Sequence, residues 1–258
     1  MPKYQDSGRL RGKERRISIV VAVLNGANTI QRCIDSVATQ TYPNRELIIM
    51  DGSSTDGTAE ILKSNDSRIT YWESKPDRGL YHAWNKALDR VTGEWVCFLG
   101  ADDQFAAANS LSMLVYKQDP HINFVSGQAM LVDEKGRVLK VEGAPWSWEN
   151  MKRYQVIAHP ASLHRYSLFE EYGKFDEAYK VAGDYEFLLR VGANMRAAYV
   201  DKVVVLCEVG GLSRSQLKGV FKETRKIQSI HPEIGFSSTL AYYTVISKAV
   251  LRRLIRGF

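Results

Sequence analysis

Apolar runs and helical patterns alternate along the first part of the chain. The run I-S-I-V-V-A-V-L at 17–24 is short, apolar and β-branched, as a strand buried on both faces requires. From about Thr29, apolar residues recur at spacings of three and four and predict a helix. A second apolar run follows at 46–50. This strand, helix and strand form the βαβ pattern that is typical of a parallel sheet.

The alternation continues as far as residue 103 and then loosens. It predicts helices near 58–64 and 80–91, and strands near 69–72 and 95–99. The looser part predicts a helix near 111–117, strands near 124–132 and 138–142, and a helix around 184–191. We therefore predict an α/β fold with a mixed, mostly parallel sheet flanked by helices.

The net charge of +6 lies at the two ends of the chain. Residues 1–16 and 239–258 each carry a net charge of +4, which leaves residues 17–238 at −2. A mildly acidic body argues against a basic groove for nucleic acid, so we expect no nucleic-acid partner. The predicted units are a basic flexible leader at 1–16, one domain at 17–235 with halves at 17–103 and 104–235, and a basic amphipathic helix at 236–258.

The C-terminal end has the pattern of an interfacial helix. Within 240–255, apolar residues share one helical face while Lys248, Arg252 and Arg256 line another. This pattern suits either an anionic membrane surface or packing on the domain. The sequence has no run of the ~18 apolar residues that a membrane span needs. We therefore expect a cytoplasmic protein, in which peripheral contact with the inner membrane stays open.

Two adjacent carboxylates, Asp102 and Asp103, directly follow the strand predicted at 95–99. Like charges repel, so holding the pair beside a buried strand costs free energy unless a cation shares it. Hard oxygen ligands favour Mg²⁺ or Mn²⁺, and Mg²⁺ is commonly bound by one or two carboxylates plus substrate phosphates. The alternative is that one of these residues caps the next helix.

Polar turns also follow the other predicted strands. Ligands of parallel α/β sheets bind beyond the carboxyl ends of the strands, where these turns lie. Asp51 ends the second run and is followed by the small residues Gly52 and Ser53, which let a ligand approach the backbone. For Asp56, in the same turn, capping of the following helix is the interpretation we favour.

Five segments, in this order, resemble the family 2 glycosyltransferases of the GT-A fold. They are A-V-L-N at 22–25, E-L-I-I-M-D-G-S-S-T-D-G-T at 46–58, D-R-G-L-Y-H-A-W-N-K-A at 77–87, G-E-W-V-C-F-L-G-A-D-D at 93–103 and A-G-D-Y-E-F-L-L-R at 182–190. The resemblance covers roughly residues 17–210. It implies a Rossmann-like nucleotide-binding half and an acceptor-binding half.

The activity that the resemblance implies is inverting, metal-dependent hexosyl transfer. The donor would be a nucleotide-diphosphate sugar, with uridine the commonest nucleotide of the family and Mg²⁺ or Mn²⁺ as cofactor. The acceptor would be a hydroxyl of a glycan or lipid-linked molecule in bacterial surface polysaccharide synthesis. The pattern departs from many relatives at Leu24 and Gly52, both beside the expected nucleobase.

The resemblance also assigns roles to residues. Asp103 resembles the direct metal ligand, Asp102 reaches ribose or metal, and Asp184 resembles the catalytic base. The donor-binding residues that it implies are Asn25, Asp51, Ser53, Asp77, Gly79, Asn85, Lys86 and Asp102. For Asp184, a helix cap is the alternative interpretation.

Three further residues are weaker candidates. His159 lies in I-A-H-P-A-S, which resembles the acceptor-side strand of the family, and Glu186 is an alternative base. Arg214 follows Gly210 and Gly211 in a loop that would close over donor phosphates, or it lies in a solvated turn.

Two other functions stay open from the sequence. A sugar-phosphate nucleotidyltransferase usually carries a Gly-rich loop with Arg or Lys directly after the first strand, and N-G-A at 25–27 is not such a loop. A non-catalytic nucleotide-sugar-binding protein would keep the binding residues without turnover.

Overall fold

Strands and helices alternate along the first half of the chain in a computed structural model, which describes residues 15–115, 119–133, 135–209, 216–231 and 234. The elements of this half are β1 (Ile17–Val23), α1 (Ile30–Ala38), β2 (Arg45–Asp51), α2 (Thr58–Ser64), β3 (Tyr71–Ser74), α3 (Leu80–Leu88) and β4 (Trp95–Gly100). Each strand predicted from residues 17–99 is therefore present.

The second half adds shorter elements and two long ones. They are β5 (Gln104–Phe105), α4 (Ser110–Val115), β6 (Phe124–Val132), β7 (Val138–Glu142), α5 (Trp148–Met151), β8 (Ser162–Arg165), α6 (Ser167–Tyr172), α7 (Gly183–Val191), β9 (Ala197–Glu208) and α8 (Leu217–Ile230). The described strands form one sheet in the order β3-β2-β1-β4-β8-β6-β9-β5, and β7 pairs with β6.

Strands β1 to β4 are parallel to one another, as the alternation predicted. Their register places Val23 opposite Asp51, Asp51 opposite Ser74, and Ala22 opposite Gly100. The carboxyl ends of these four strands therefore meet at one edge of the sheet. This edge brings the turns after β1, β2, β3 and β4 together.

The sheet separates two apolar clusters, and alternate residues of β1 and β4 enter one or the other. Cys97 and Leu99 pack with α1, whose buried residues are Ile30, Cys33, Ile34 and Val37. Val96 and Phe98 pack on the other face with α3, α6 and α7. Such strands are buried on both faces, which explains why they form continuous apolar runs in the sequence.

Several elements of the second half were not predicted. Strand β9 carries exposed Asp201 and Lys202 in its middle, where its register with β6 shifts, so its pattern does not alternate cleanly. Helix α8 is largely polar and gives a weak apolar stripe. The segment at His159, predicted to resemble a strand, forms a turn of 3-10 helix that contains Pro160, and β8 follows it.

Two predicted units lie mostly outside the described residues. The leader at 1–16 is described only at Arg15 and Arg16, and the amphipathic helix at 236–258 is not described at all. Their boundaries and those of the halves at 17–103 and 104–235 stay predictions. Across the ranges that the structure describes, no helix is both long enough and apolar enough to pass through a bilayer.

Candidate active site

The carboxylates of Asp102 and Asp103 face one point above the backbone of Gly100. A methyl group added to Gly100 would lie 2.6 Å from Oδ2 of Asp103 and 2.8 Å from Oδ1 of Asp102. Asp103 is 7% exposed, and its Oδ2 accepts the N–H of Gly100 at 3.1 Å. The two carboxylates converge because residue 100 has no side chain. Neither residue caps a helix, since α4 begins only at Ser110.

Two thiols lie close behind this pair. Burial, with a further contribution from Asp103, raises the pKa of the Cys97 thiol to about 12. Burial and then the two carboxylates raise the pKa of the Cys33 thiol as well. Both thiols are therefore protonated near neutral pH. The side-chain oxygens that converge at this point belong to Asp102 and Asp103.

The carboxylate pair fits a hard divalent cation that a substrate helps to bind. Among the residues that the structure describes, no group of three or more His, Cys, Asp or Glu is arranged to hold a metal ion. Mg²⁺ is commonly bound by two carboxylates, while substrate phosphates and water supply its remaining ligands. Asp102 and Asp103 are the residues that would hold such an ion.

The carboxylate of Asp51 is fully buried at the end of β2. It accepts the N–H of Ser54 at 3.1 Å, the hydroxyl of Ser54, and the hydroxyl of Ser74 at 2.5 Å. These bonds hold the turn after β2 against the end of β3. The described contacts of Asp51 are thus within the protein, and its predicted contact with a nucleobase stays a prediction.

The turns after β1 and β2 are tied to each other. Asn25 donates its N–H to Ser54 at 2.7 Å, and its side-chain Oδ1 accepts the N–H of Thr55 at 3.0 Å. Asn25 and Ser53 have positive φ angles of 53° and 67°, which few residues other than glycine adopt. Such backbone strain persists only where neighbouring contacts fix it, and it is frequent at ligand-binding turns.

Asp56 binds the start of α2 from the position before its N-cap, which is Gly57 and has no capping side chain. Its carboxylate accepts the hydroxyl of Thr58 at 2.6 Å and the N–H of Ala27 at 2.9 Å, and these bonds lower the pKa of Asp56. It also accepts the N–H of Thr58, the first residue of α2. Asp56 therefore holds the start of α2 against the turn after β1.

The carboxylate of Asp77 lies against the backbone of Gly52. Its Oδ1 accepts the N–H of Gly79 at 2.8 Å, and its Oδ2 would lie 2.7 Å from a methyl group on Gly52. Gly79 has a φ of 125°, which favours glycine at this position. The side chain of Leu24 is 62% exposed, and its Cδ1 approaches the same point of Gly52. The side chains of Leu24 and Asp77 therefore meet at the backbone of Gly52.

Two predicted donor-binding residues use their side chains elsewhere. Asn85 donates to the carbonyl of Phe175 at 2.9 Å and accepts the N–H of Phe175 at 3.0 Å. Lys86 forms an ion pair with Glu73 at 3.0 Å. Hydrogen bonds from Lys75 and then Lys86 lower the pKa of Glu73 to about 2. Asn85 and Lys86 fix α3 to its neighbours.

Asp184 is the second residue of α7, and other elements hold both of its carboxylate oxygens. Oδ1 accepts the hydroxyl of Tyr81 at 3.1 Å, and Oδ2 accepts Nε2 of Gln155 at 2.9 Å. Burial and then Asp184 raise the pKa of Tyr81, so the phenol stays a donor. No side chain caps α7 at its N-cap residue Ala182. The interpretation of Asp184 as a cap is therefore wrong.

The weaker candidates lie in different surroundings. Glu186 is 8% exposed and forms a two-point ion pair with Arg190, at 3.1 Å and 2.5 Å. His159 is buried and stacks on Trp84 at 5.4 Å, and burial lowers its pKa. Arg214 lies outside the described residues.

Sequence reasoning missed the two donors to Asp184. Tyr81 stands inside the segment D-R-G-L-Y at 77–81, so its position two residues after Gly79 was a usable signal. Gln155 lies in a segment without helical or strand periodicity, and nothing in the sequence indicated it. Their contacts place Asp184 beside the helix that begins at the donor-side turn.

A mixed sheet with acidic turns at its carboxyl edge and helices on both faces is the GT-A type of fold. The sequence profile of Glycosyl transferase family 2 matches residues 18–170, more than half of the chain. The chain belongs to glycosyltransferase family 2, and the family, the fold class and the activity as a glycosyltransferase that the resemblance implied are confirmed.

Similar proteins span most of the chain. A PGL/p-HBAD biosynthesis glycosyltransferase of Mycobacterium bovis is 30% identical over 251 residues, which is 92% of this chain and 95% of that protein. An uncharacterized glycosyltransferase of Mycobacterium tuberculosis is 28% identical over 233 residues, covering 85% of this chain and 86% of that protein.

Solved structures share the fold at lower identity. S. aureus TarS 1-349 in complex with UDP-GlcNAc has a TM-score of 0.65 at 19% identity, covering 82% of this chain and 65% of that one. The chain thus spans less than two thirds of TarS. Mannosyltransferase PcManGT from Pyrobaculum calidifontis, in complex with GDP-Man and Mn²⁺, has a TM-score of 0.65 at 20% identity, covering 94% of this chain and 76% of that one.

The close approach of Gly183 to Tyr81 generates a prediction. A methyl group at residue 183 would lie 2.8 Å from the Tyr81 ring, which Trp84 and Phe175 pack against. We expect Gly183→Ala to lower the free energy of unfolding by about 1–3 kcal/mol, measured by urea denaturation.

The matched control is Gly219→Ala in α8, where the added methyl group meets its nearest described neighbour only at 3.5 Å. This control should raise stability by roughly 0.5–1 kcal/mol, because alanine favours a helix interior. Equal stability of Gly183→Ala and the natural protein would contradict a rigid contact between Tyr81 and α7.

Proposed function

We propose that the chain is an inverting, metal-dependent hexosyltransferase that moves a sugar from a nucleotide-diphosphate donor to an acceptor hydroxyl. The observation that carries this proposal is the convergence of Asp102 and Asp103 above Gly100 at the carboxyl edge of β1 to β4. A divalent cation held there would neutralise the charge that develops on the leaving diphosphate. Asp103, which is mostly buried, is the direct ligand, and Asp102 binds the metal or the ribose.

The donor nucleotide is proposed to lie in a cleft lined by Leu24, Gly52 and Asp77. The Asp77 carboxylate occupies the space that a side chain at residue 52 would fill, and Leu24 offers an exposed apolar wall to a base. Asn25, Ser53 and Gly79 contribute backbone and turn geometry at the same edge. Structures of similar fold were determined with UDP-GlcNAc and with GDP-Man and Mn²⁺, which supports a nucleotide-sugar donor. Within that class we favour a UDP-sugar.

Asn85 and Lys86 take an indirect part in this proposal. Their side chains bind Phe175 and Glu73, and both residues belong to α3. Helix α3 begins directly after Gly79 and carries Tyr81 in its first turn. The contacts of Asn85 and Lys86 hold α3 in place. They therefore also position the Tyr81 hydroxyl, which donates to Asp184.

Asp184 is proposed as the catalytic base. A sugar or lipid hydroxyl is far too weak an acid to ionise near neutral pH, so a positioned carboxylate must take its proton as the new bond forms. The acceptor oxygen attacks the anomeric carbon, the bond from that carbon to the diphosphate oxygen breaks, and the proton passes to Asp184. Attack from the face opposite the leaving group inverts the anomeric centre. Tyr81 and Gln155 orient the carboxylate for this step.

The acceptor is proposed to be a glycan or lipid-linked molecule of bacterial surface polysaccharide synthesis. The similar protein from Mycobacterium bovis is named a PGL/p-HBAD biosynthesis glycosyltransferase, which supports sugar transfer in a biosynthetic route. Residues 239–258 support contact with an anionic membrane, because they carry a net charge of +4.

Metal-dependent donor binding tests the carboxylate pair. We expect Asp103→Ala to weaken Mn²⁺-dependent donor binding by at least about tenfold, because a charge-assisted ligand is lost. Calorimetry with UDP-, GDP- and dTDP-sugars, with and without Mn²⁺, gives the affinity and the nucleotide. Glu171→Ala is the control, since Glu171 is exposed beside Asn123 at the start of β6, away from the carboxyl edge. Unchanged binding by Asp103→Ala would contradict the metal site.

Loss of the base should separate binding from transfer. We expect Asp184→Asn to keep donor affinity within about threefold and to reduce transfer by roughly 10²–10⁴-fold. Transfer to a lipid-linked glycan and slow donor hydrolysis without acceptor are measured together, with Glu171→Gln as control. Normal transfer by Asp184→Asn would refute the base assignment. Donor binding without any turnover in the natural protein would instead favour a non-catalytic nucleotide-sugar-binding protein.

The basic C-terminal segment predicts binding to anionic vesicles. Lys248→Gln with Arg252→Gln should weaken sedimentation with phosphatidylglycerol vesicles by roughly tenfold and leave phosphatidylcholine vesicles unaffected, because each cation near an anionic surface contributes about 1 kcal/mol. Lys63→Gln with Lys135→Gln removes the same charge from exposed positions elsewhere. If both double variants bind equally well, membrane contact through residues 239–258 is wrong.

A further inference from the structure

Glu223, on helix α8, binds the segment that leads into α7 through its carboxylate. Oε1 of Glu223 accepts the N–H of Lys180 at 2.8 Å. Oε2 accepts the N–H groups of Val181 at 2.9 Å and Ala182 at 3.0 Å. Ala182 directly precedes α7, whose second residue is Asp184. One carboxylate thus binds three consecutive backbone donors immediately before the proposed base.

These three N–H groups precede the first turn of α7, where the helix offers no backbone acceptor for them. Helix α7 has no side-chain cap of its own, and the N–H of Glu186 closes the first turn on the carbonyl of Ala182. A carboxylate near a helix N-terminus is favoured by the helix dipole, and its hydrogen bonds to N–H groups are charge-assisted. Glu223, on α8, therefore supplies side-chain hydrogen bonds to the segment before α7, which has no side-chain cap of its own.

A second contact of α8 reaches the other side of the base. Nε2 of Gln228 lies 3.3 Å from the carbonyl of Lys152 and 3.0 Å from that of Arg153. It also lies 3.2 Å from the hydroxyl of Tyr185, the residue after Asp184. Gln155, which donates to Asp184, follows Lys152 and Arg153 closely in the chain. Helix α8 thus contacts both the start of α7, which carries Asp184, and the segment just before Gln155, which donates to Asp184.

The segment that Glu223 binds also contacts the donor-side turn. Nζ of Lys180 donates to the carbonyl of Arg78 at 3.0 Å, and Arg78 pairs with Glu177 at 2.5 Å. Arg78 lies between Asp77 and Gly79, in the wall of the proposed nucleotide cleft. A shift of residues 180–182 would therefore move α7 relative to the donor turn.

We propose that Glu223 is a positioning residue for sugar transfer, which sets the Asp184 carboxylate relative to the donor through the backbone of Lys180, Val181 and Ala182. This inference rests on the proposed role of Asp184 as the base. Glu223 touches neither donor nor acceptor, so its effect falls on the geometry of proton transfer. A misplacement of about 1 Å can cost roughly 10²-fold in rate.

Glu223→Gln is the most direct variant, because it keeps the shape and replaces one acceptor oxygen by an NH₂ group that faces backbone N–H groups. We expect kcat for transfer to fall about 10–100-fold, while the donor KM and the number of donor molecules bound per chain stay within about twofold. Glu223→Asp keeps the charge with a shorter reach and should recover part of the loss. Ser229→Ala, exposed on the same helix, is the matched control.

A double-mutant cycle with Asp184→Asn decides whether Glu223 acts through the base. If it does, adding Glu223→Gln to Asp184→Asn should change the residual transfer less than twofold. A loss of the same factor in both backgrounds, or a kcat for Glu223→Gln equal to that of Ser229→Ala, would overturn the proposal. So would a loss of donor-binding capacity in proportion to activity in both Glu223 variants, since that reports unfolded protein.

The failure of the proposed function gives a different result. If Asp184→Asn transfers sugar normally, the base assignment fails and the positioning proposal falls with it. If Asp184→Asn abolishes transfer while Glu223→Gln is fully active, the proposed function stands and only the role of Glu223 is wrong.

Discussion

Repulsion between carboxylates gathered at one edge of a parallel sheet is the constraint on which this structure depends. The fold meets it in two ways. Asp51 and Asp56 accept hydrogen bonds from hydroxyl and N–H groups of neighbouring turns, which stabilise their charges within the protein. Asp102 and Asp103 converge over a glycine, which is the arrangement that a cation can share. The contacts of Asp51 and Asp56 shape the edge, and the proposed chemistry is assigned to Asp102 and Asp103.

Glycines let side chains approach the backbone closely at the site, and aromatic rings pack behind it. Gly52 admits the Asp77 carboxylate, Gly100 admits the carboxylates of Asp102 and Asp103, and Gly183 admits the ring of Tyr81. In each case a backbone without a side chain lets a functional group approach within van der Waals contact. Behind them, Phe98, Trp84 and Phe175 form an aromatic core against which α3 and α7 pack.

Most of the donor side was predictable from the sequence, because β1 to β4 are continuous apolar runs whose ends are marked by Asp and Gly. The surroundings of Asp184 were less predictable from the sequence. Asp184 was found through its motif, yet its partners Tyr81, Gln155 and Glu223 come from three distant segments that only the folded chain brings together. Asn85 shows the opposite case. It lies inside a recognised motif, yet its side chain binds the backbone of Phe175.

Leu24 combines a fixed backbone with an outward side chain. It directly follows β1, whose register with β2 and β4 is set, and the turn after it is tied to the turn after β2. The side chain itself is largely in solvent, so exchanging it would disturb little of the core. With the donor bound as proposed, a lineage of such proteins can therefore diversify its choice of nucleotide at this position while the scaffold is inherited unchanged.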